Sequence, residues 1–429
     1  MIEARNSHGW LPNIEDSYIR PTPTHLAAAA YRNTRTRLHS SAPLAELLTW
    51  SYATCDLRPF EKERSDSGLN YTGASWDYPL EMDELLTHDA TIRATAPDCA
   101  PNIFLAGGQS YFRDSWTNGG GGQRYLLFHG VAVADNHNHD DQLSFLLEAE
   151  GQMMCSDAGY SRGTYTGEER TKWYNTAAAH NTLTFDGKPA IDIAPNKTPP
   201  SIFHVDQPGL VGEEKKAIFG TVAAWRRAIF WIADDYYIVA DRVNSSRAGK
   251  IAAYLHGGRG TLATNGAERT WNYSADRYGP AAQLHTWLAA PGASIAEKKG
   301  ELTYIKGDYA EFPYLEVNAT ATDCAWLTLL KPAHVGAPAT FAAEDRSTNA
   351  FTALAINSPD HRCLVVAQPK SGPRVKLDDV ETDAAFALVR RDRTGRVLAF
   401  SVLDGTSLSV AGREIWHGEK MQSVAQVAR

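Results

Sequence analysis

The sequence has few cysteines, no excess of basic charge and no long apolar run, and each shortage excludes a class of protein. Its 429 residues include five cysteines, at positions 55, 99, 155, 324 and 363, with no CxxC pair. Cysteines so few, odd in number and far apart argue against a disulfide framework and a cysteine zinc knot. No apolar segment approaches the ~20 residues of a membrane-spanning helix, so no membrane insertion is expected.

The chain as given also shows no signal peptide, because its first residues lack a basic stretch followed by an apolar one. Localisation therefore stays open between the cytoplasm and an exported protein whose leader has been removed. Acidic residues outnumber basic ones by 50 to 42, for a formal net charge of −8. General nucleic-acid binding requires a basic surface, so no nucleic-acid partner is expected. An anionic ligand would have to be met by a local cluster of cations.

What the sequence has in quantity is glycine and large aromatic residues, with 33 Gly, 11 Trp and 18 Tyr. Residues 24–52 are rich in Ala and Leu at helical spacing, and Pro43 after two serines suits the start of a second helix. From Asn102 onward the pattern has period two, which predicts strands at 125–133, 144–149, 182–185, 227–233, 236–243, 386–390, 396–403 and 407–410. Hairpin turns are predicted at 234–235, 392–395 and 404–405.

Strands at short spacing without intervening helices indicate antiparallel sheets. We therefore predict a mainly β protein in three parts. Residues 1–100 form a short α-helical segment and a linker. Residues 101–340 form a large antiparallel β-sandwich, and residues 341–429 form a small C-terminal β-sheet region.

The histidine-rich segment is the most informative part of the chain. His137 and His139 are two residues apart, so at a strand entrance both would point to one face. Asp157 follows the next predicted strand, and His180 precedes another. Two histidines and a carboxylate from neighbouring strand ends can bind zinc. Spacing alone leaves open the alternative of hydrogen-bonded histidines at the rim of a sheet.

Three segments around these residues together resemble the signature of the heparinase II/III-like polysaccharide lyases: HNHDDQLSF at 137–145, CSDAGY at 155–160 and AHNTL at 179–183. Further parts resemble the same family, namely LP at 11–12 with DS at 16–17, and YFRDSW at 111–116 followed by YLLF at 125–128. The resemblance implies an incomplete α/α toroid followed by an antiparallel β-sandwich, with the active site in the cleft between them. It also implies β-elimination on a uronic-acid polysaccharide such as heparan sulfate, alginate, hyaluronan or chondroitin.

The resemblance also implies a role for single residues. His137 matches the catalytic-site histidine, a neutraliser or base. His139, Asp157 and His180 match metal ligands, usually of zinc, and such a metal would be structural rather than a Lewis acid; another divalent metal stays open. Asp141 matches a motif position whose expected role is to hydrogen-bond a ligand histidine or a backbone amide.

The chemistry itself explains why such residues are needed. A uronate C5 proton is too weakly acidic to leave near neutral pH, so a group must stabilise the developing charge. A base must then take this proton and an acid must protonate the leaving O4 oxygen. Tyrosine can serve when a nearby cation lowers its pKa. The acid/base candidates in the segment 160–175 are Tyr160, Tyr165 and, foremost, Tyr174, which resembles a tyrosine of alginate-cleaving relatives.

Cations near these tyrosines could bind a carboxylate or sulfate. The candidate substrate-binding residues are Arg162, Arg170, Arg113 and Asn181. For each tyrosine the alternative to a catalytic role is a packing role, in which the ring is buried and the hydroxyl forms a hydrogen bond within the protein. Other histidines, including His256, are expected to be structural or exposed.

The short helical segment conflicts with the resemblance, because full-length relatives carry a long toroid that supplies further catalytic groups. The chain is then a fragment, a reduced homologue, or one half of a split lyase that needs a helical partner chain or dimerises. The alternative function is a noncatalytic carbohydrate-binding or structural homologue that retains the metal site. A glycoside hydrolase, which needs two carboxylates facing the scissile bond, ranks third.

Overall fold

The computed structural model describes residues 5–6, 8–14, 17–21, 42–56, 92–105, 108–116, 123–130, 138–162, 167–191, 203–305, 307–337 and 341–427. The predicted first helix lies outside the described residues, as do the catalytic candidates His137 and Tyr165. Within the described ranges, no helix is long and apolar enough to cross a membrane.

The N-terminal part contains a small two-stranded sheet and one helix. Strand β1 (Trp10–Leu11) pairs with β2 (Arg20–Pro21), and helix α1 spans Ala42–Ala53, which confirms the helix predicted at Pro43. The guanidinium of Arg5 donates to the carbonyls of Ser51 and Thr54 at 3.3 and 3.1 Å. These carbonyls have no partner within the helix, so Arg5 caps its C-terminal end.

The first sheet is an antiparallel meander in which neighbours in sequence are neighbours in space. Its strands are β3 (Ile103–Phe104), β4 (Gln109–Arg113), β5 (Tyr125–His129), β6 (Phe145–Ala149) and β7 (Gln152–Cys155). The predicted strands at 125 and 144 are thus confirmed. Because β6 and β7 form a tight hairpin, the residues before β6 and after β7 lie at the same edge of the sheet.

A π-helical turn (Arg170–Tyr174) and a short 3₁₀ helix (Ala177–Ala179) lead into the second sheet. This sheet has eleven strands, with the order β10-β11-β12-β13-β18-β16-β15-β14 along its main path, and β8, β9 and β17 beside it. They are β8 (Leu183–Phe185), β9 (Lys188–Pro189), β10 (Phe203–Gln207), β11 (Leu210–Phe219), β12 (Ala223–Ile232), β13 (Tyr236–His256), β14 (Thr261–Asn265), β15 (Glu268–Tyr273), β16 (Ala282–Ala289), β17 (Ser294–Leu302) and β18 (Ala310–His334).

The third sheet has eight strands in the order β19-β20-β21-β24-β25-β23-β22, with β26 paired to β25. They are β19 (Ala342–Asp345), β20 (Thr352–Asn357), β21 (His361–Ala367), β22 (Val375–Leu377), β23 (Val380–Thr382), β24 (Phe386–Asp392), β25 (Val397–Val410) and β26 (Arg413–Val427). Whether residues 1–100, 101–340 and 341–429 are separate folding units stays a prediction.

Two of the three predicted hairpin turns are correct. The turn at 234–235 exists and also includes Ala233, since Ile232 pairs with Tyr236. The turn at 392–395 joins β24 to β25. The third, at Asp404 and Gly405, is wrong, because β25 runs through both residues with a register shift against β26. Asp404 has a positive φ of 55°, as in a turn, but here it forms a β-bulge.

The mainly β fold of antiparallel sheets is confirmed, and the second sheet lies between the other two. Strand β12 shows why, since its side chains alternate between two cores. Trp225, Ile229 and Trp231 pack with residues of the first sheet such as Phe128 and Phe145. Ala228, Phe230 and Ile232 pack with residues of the third sheet such as Leu354 and Leu388. A strand that is buried on both faces reads as a continuous apolar run.

Candidate functional site

The structure brings His139, Asp157 and His180 together, as the sequence predicted. One donor atom from each lies within 4.8 Å of the others, and all three residues are buried. His139 precedes β6, Asp157 follows β7, and His180 follows the 3₁₀ helix. His139 and Asp157 lie close together because both are at the same edge of the β6–β7 hairpin. The main chain that leads into β8 places His180 beside them. We call these three residues the metal group, because their arrangement could hold a metal ion.

The contacts of His180 indicate that either a proton or a metal ion lies between its Nδ1 and the carboxylate of Asp157. Its Nε2 lies 2.9 Å from the carbonyl oxygen of Tyr174, and its Nδ1 lies 2.6 Å from Oδ2 of Asp157. Nε2 must be a donor toward a carbonyl, and so an unprotonated Nδ1 would face the carboxylate lone pairs. A proton or a metal ion resolves this conflict.

Without a metal the proton occupies this place. Burial disfavours the charged imidazolium, but the charge and hydrogen bond of Asp157 outweigh it and raise the pKa of His180 to about 9. Burial also opposes ionisation of Asp157, yet the charge of His180 and its hydrogen bond hold that pKa below its usual value. The pair is therefore an ion pair that a metal would replace by displacing one proton.

The buried carboxylate of Asp141 indicates whether the site is suited to a cation. Its carboxylate is fully buried, and neither oxygen has a hydrogen-bond partner among the described residues. Nε2 of His129 lies 3.7 Å from Oδ2 of Asp141, and the role predicted for Asp141, a hydrogen bond to a ligand histidine or an amide, stays a prediction. Burial, assisted by the charge of Asp157, raises the pKa of Asp141 to about 6. A buried carboxylate whose oxygens lack hydrogen bonds is costly, and a nearby cation would offset that cost. The nitrogen and oxygen donors suit zinc and other divalent metals alike.

Asn181 and Arg227 position the segments that carry the metal group. The side-chain amide of Asn181 donates to the carbonyls of Phe145 and Ser156 and accepts from the main-chain N–H of His256. Arg227 donates to the carbonyls of Leu143 and Asn181 at 2.8 and 2.6 Å. Asn181 thus joins three segments, and the structure favours this positioning role over its predicted contact with substrate.

Tyr174 lies in a different environment from the one expected. Its hydroxyl donates to Oε1 of Glu301 at 2.7 Å, and the residue is buried. Burial and this hydrogen bond raise the pKa of Tyr174 well above its usual value, whereas neighbouring cations were expected to lower it. A raised pKa disfavours the phenolate, so Tyr174 is a poor candidate for a base near neutral pH. Sequence reasoning missed Glu301, because it lies on β17, far away in the chain.

Arg162 lies on the surface next to this carboxylate, and Tyr160 precedes it by two residues. Arg162 forms an ion pair with Oε2 of Glu301, and its guanidinium carbon lies 4.7 Å from the ring centre of Tyr309. Tyr160 meets the ring of Tyr18 edge-on, with 5.8 Å between ring centres. Three distant segments therefore converge here, and the sequence offered no signal for Tyr309.

The other two predicted substrate-binding arginines are buried. Arg170 begins the π-helical turn and is 4% exposed. Arg113 is 1% exposed and donates to the carbonyls of Pro101 and Arg5. Arg113 pairs with Tyr125, which pairs with Glu148 near the end of β6, whereas the metal group lies before the start of β6. Arg113 is therefore at the opposite end of the first sheet, and the structure does not bring it to the site.

Gly159 fixes the chain after Asp157 against the β17–β18 connection. Its φ is +81°, and the carbonyl oxygen of Thr303 would lie 2.3 Å from an added Cβ. We expect Gly159→Ala to destabilise the protein by more than about 2 kcal/mol, because strain at positive φ and a backbone clash add together. Gly187→Ala is the matched control, since Gly187 has a φ of +72° with nothing within 4 Å. Urea unfolding should show a clearly smaller loss for the control; equal losses would contradict the close contact.

Comparisons with known proteins give a family match for part of the chain and a shared fold. Residues 100–306 match the family described as Heparinase II/III-like, C-terminal. No curated protein matches the chain. A crystal structure of heparinase III has 13% identity and a TM-score of 0.59, covering 86% of this chain and 52% of that chain. Heparan sulfate lyase HepC from Pedobacter heparinus has 15% identity and a TM-score of 0.58, covering 87% and 52%.

A third structure, heparinase III with methylated lysines, has 14% identity and a TM-score of 0.61, covering 91% of this chain and 50% of that chain. At such identities the structures show a shared fold, and the chain spans about half the length of each. The family match supplies the more specific finding. Over residues 100–306 the chain therefore matches the same family, Heparinase II/III-like, that its sequence motifs resemble.

Proposed function

We propose that the protein is a polysaccharide lyase that cleaves an anionic, uronic-acid-containing polysaccharide by β-elimination. The observation that carries the proposal is the buried metal group, which anchors the segment that follows His137 in the chain. The family match supports it, as do the similar structures, one of which is titled a heparan sulfate lyase. The proposal extends these likenesses to this chain's own activity.

In the proposed reaction a base removes the C5 proton of the uronate, and a C4–C5 double bond forms as the bond from C4 to O4 breaks. An acid returns a proton to O4, so no water is consumed. We assign His137 as neutraliser or base and Tyr174 as the acid, because the raised pKa of Tyr174 disfavours the phenolate that a base would need. Tyr160 and Tyr165 are the remaining tyrosine candidates.

Zinc is the metal that we propose for the metal group, with a structural role. When bound, it would hold the ends of the strands in register. His139, Asp157 and His180 would be its ligands. Groups beyond those of this chain would come from a helical partner chain or from a second copy of the protein.

The test is incubation of the protein with heparan sulfate, alginate, hyaluronan and chondroitin sulfate, followed by ultraviolet absorbance of the unsaturated product. One of these polymers should give a signal, and His137→Ala should reduce its rate by about 100-fold or more. His417→Ala is the control, because His417 is exposed on the third sheet.

Two outcomes would contradict the proposal. If no polymer gives unsaturated product and His137→Ala leaves sugar binding unchanged, the noncatalytic carbohydrate-binding alternative replaces it. If new reducing ends form without the ultraviolet signal, the reaction is hydrolysis instead. A homodimer or a requirement for a helical chain would be seen by measuring mass in solution.

A further inference from the structure

We propose that a surface next to the metal group binds the acidic sugar rings of the polymer, which rests on the proposed function and adds its substrate-binding residues. The surface comprises Tyr18, Tyr160, Arg162, Glu301 and Tyr309, and we call it the tyrosine–arginine patch. Its members come from three separate segments of the chain: the one that follows β1, the one that follows Asp157, and the end of β17 with the β17–β18 connection.

Hydrogen bonds hold two tyrosines of the patch, Tyr18 and Tyr309, in place. The hydroxyl of Tyr18 donates to the carbonyl of Ser161 at 3.2 Å, and it lies 2.7 Å from the hydroxyl of Tyr309. Since each phenol has one proton, Tyr309 is then the donor to Tyr18. The oxygen of Tyr309 keeps lone pairs with which it can accept a hydrogen bond from a sugar hydroxyl.

The patch is joined rigidly to the metal group. The main-chain N–H of Thr303 donates to the carbonyl of Ala158 at 2.9 Å. The side-chain amide of Asn13 donates to the carbonyls of Asp157 and Thr303 at 3.3 and 3.2 Å. A sugar bound at Tyr309 would therefore lie at a set position relative to Asp157.

The charge of the patch favours an acidic sugar. The side chain of Arg162 is 49% exposed and that of Glu301 is 24% exposed, so the ion pair between them is open to solvent. A guanidinium has five N–H donors in a planar fork that matches a carboxylate or sulfate. Nearby tyrosine rings offer apolar faces for the C–H groups of a sugar ring. A uronate-bearing oligosaccharide uses both features, whereas a neutral oligosaccharide uses only the rings.

Glu301 gives the proposal a distinctive consequence. In the free protein it pairs with Arg162 and also accepts the hydroxyl of Tyr174. The carboxylate of an incoming sugar competes with Glu301 for the same guanidinium. Removing the charge of Glu301 should therefore strengthen binding of an acidic sugar, while removing the charge of Arg162 should weaken it. Glu301→Gln keeps an oxygen that can accept from Tyr174.

The experiment measures dissociation constants by calorimetry for heparan sulfate, alginate and neutral cellulose oligosaccharides. For the acidic probes, Arg162→Gln should weaken binding about 5-fold, Tyr309→Phe about 2-fold, and Glu301→Gln should tighten it about 2- to 5-fold. The neutral probe should bind more weakly to the wild type and should not respond to either charge change. Arg374→Gln is the matched control, because Arg374 is 58% exposed and pairs with Glu381 on the third sheet.

Opposite effects of Arg162→Gln and Glu301→Gln support the patch, since loss of a merely structural ion pair would weaken binding in both variants. The inference is overturned if both variants weaken binding, if Arg162→Gln behaves like Arg374→Gln, or if the wild type binds neither acidic probe. If the wild type binds the acidic probes but forms no unsaturated product, the lyase proposal is contradicted and the proposed binding by the patch is not. If the acidic polymers are cleaved but affinity and KM are unchanged in all variants, the proposed binding by the patch is contradicted and the lyase proposal is not.

Discussion

Asp157→Asn is expected to abolish metal binding and, with it, lyase activity. Asp157 is buried beside His180 and provides the charged oxygen of the metal group. Loss of an outer-shell partner of a metal ligand typically costs about 10- to 100-fold in metal affinity, so loss of a ligand itself should cost at least about 100-fold. Mass spectrometry of the protein reconstituted with zinc would measure the bound metal, and ultraviolet absorbance would measure the product.

Asp378→Asn is the control for this substitution, because Asp378 is exposed on the third sheet and forms an ion pair with Arg346 there. It should retain the wild-type metal content. Stoichiometric metal in Asp157→Asn would contradict the assignment of Asp157. A wild type that takes up no divalent metal after reconstitution would contradict all three ligands.

The affinity of the metal group for zinc should depend on pH in a defined direction. Without metal, the pKa of His180 is raised to about 9, so its proton stabilises the fold below the unfolded value of about 6.5, and this contribution is lost as pH rises through about 9. A metal must displace that proton. Apparent zinc affinity should therefore rise about tenfold per pH unit between about pH 7 and pH 9 and then level off. A flat profile in a chelator competition would show that no proton is displaced.

Arg227→Met should have the largest effect on stability. Arg227 is buried and pairs with Asp241 through two hydrogen bonds of 2.8 and 2.9 Å. It also donates to the carbonyls of Leu143 and Asn181, which lie in the segments around the metal group. Removing it leaves a buried carboxylate and two carbonyls without this partner. The free energy of unfolding should fall by about 3–5 kcal/mol, as measured by urea denaturation.

The double variant Arg227→Met with Asp241→Leu separates the two causes of this loss. It should regain part of the stability, because no charge is then buried alone. Arg396→Met is the surface control, since Arg396 is largely exposed in its pair with Asp392, and it should cost less than about 1 kcal/mol. A loss below about 1 kcal/mol for Arg227→Met would show that Arg227 does not hold the sheet to the segments of the metal group.

Local patterns in the sequence predicted much of the sheet structure. Alternation of apolar residues located β5, β6 and the β12–β13 hairpin, because the two-residue period of a strand decides which side chains are buried. Alternation did not predict that β12 would be buried on both faces, since the third sheet covers it from elsewhere in the chain. The predicted turn at Asp404 failed for a related reason. A positive φ serves a turn and a bulge equally well, and only the pairing of β25 with β26 distinguishes them.

The motifs of residues 137–183 were enough to indicate the family and the types of side chain in the metal group, because both are properties of short segments. Which groups surround those side chains depends on contacts between distant segments. Glu301 turned Tyr174 from an expected low-pKa tyrosine into one that holds its proton, and Asn181 and Arg113 are occupied by main-chain partners. Burial and hydrogen-bond partners set the chemistry of a side chain, and these arise only when the three sheets pack together.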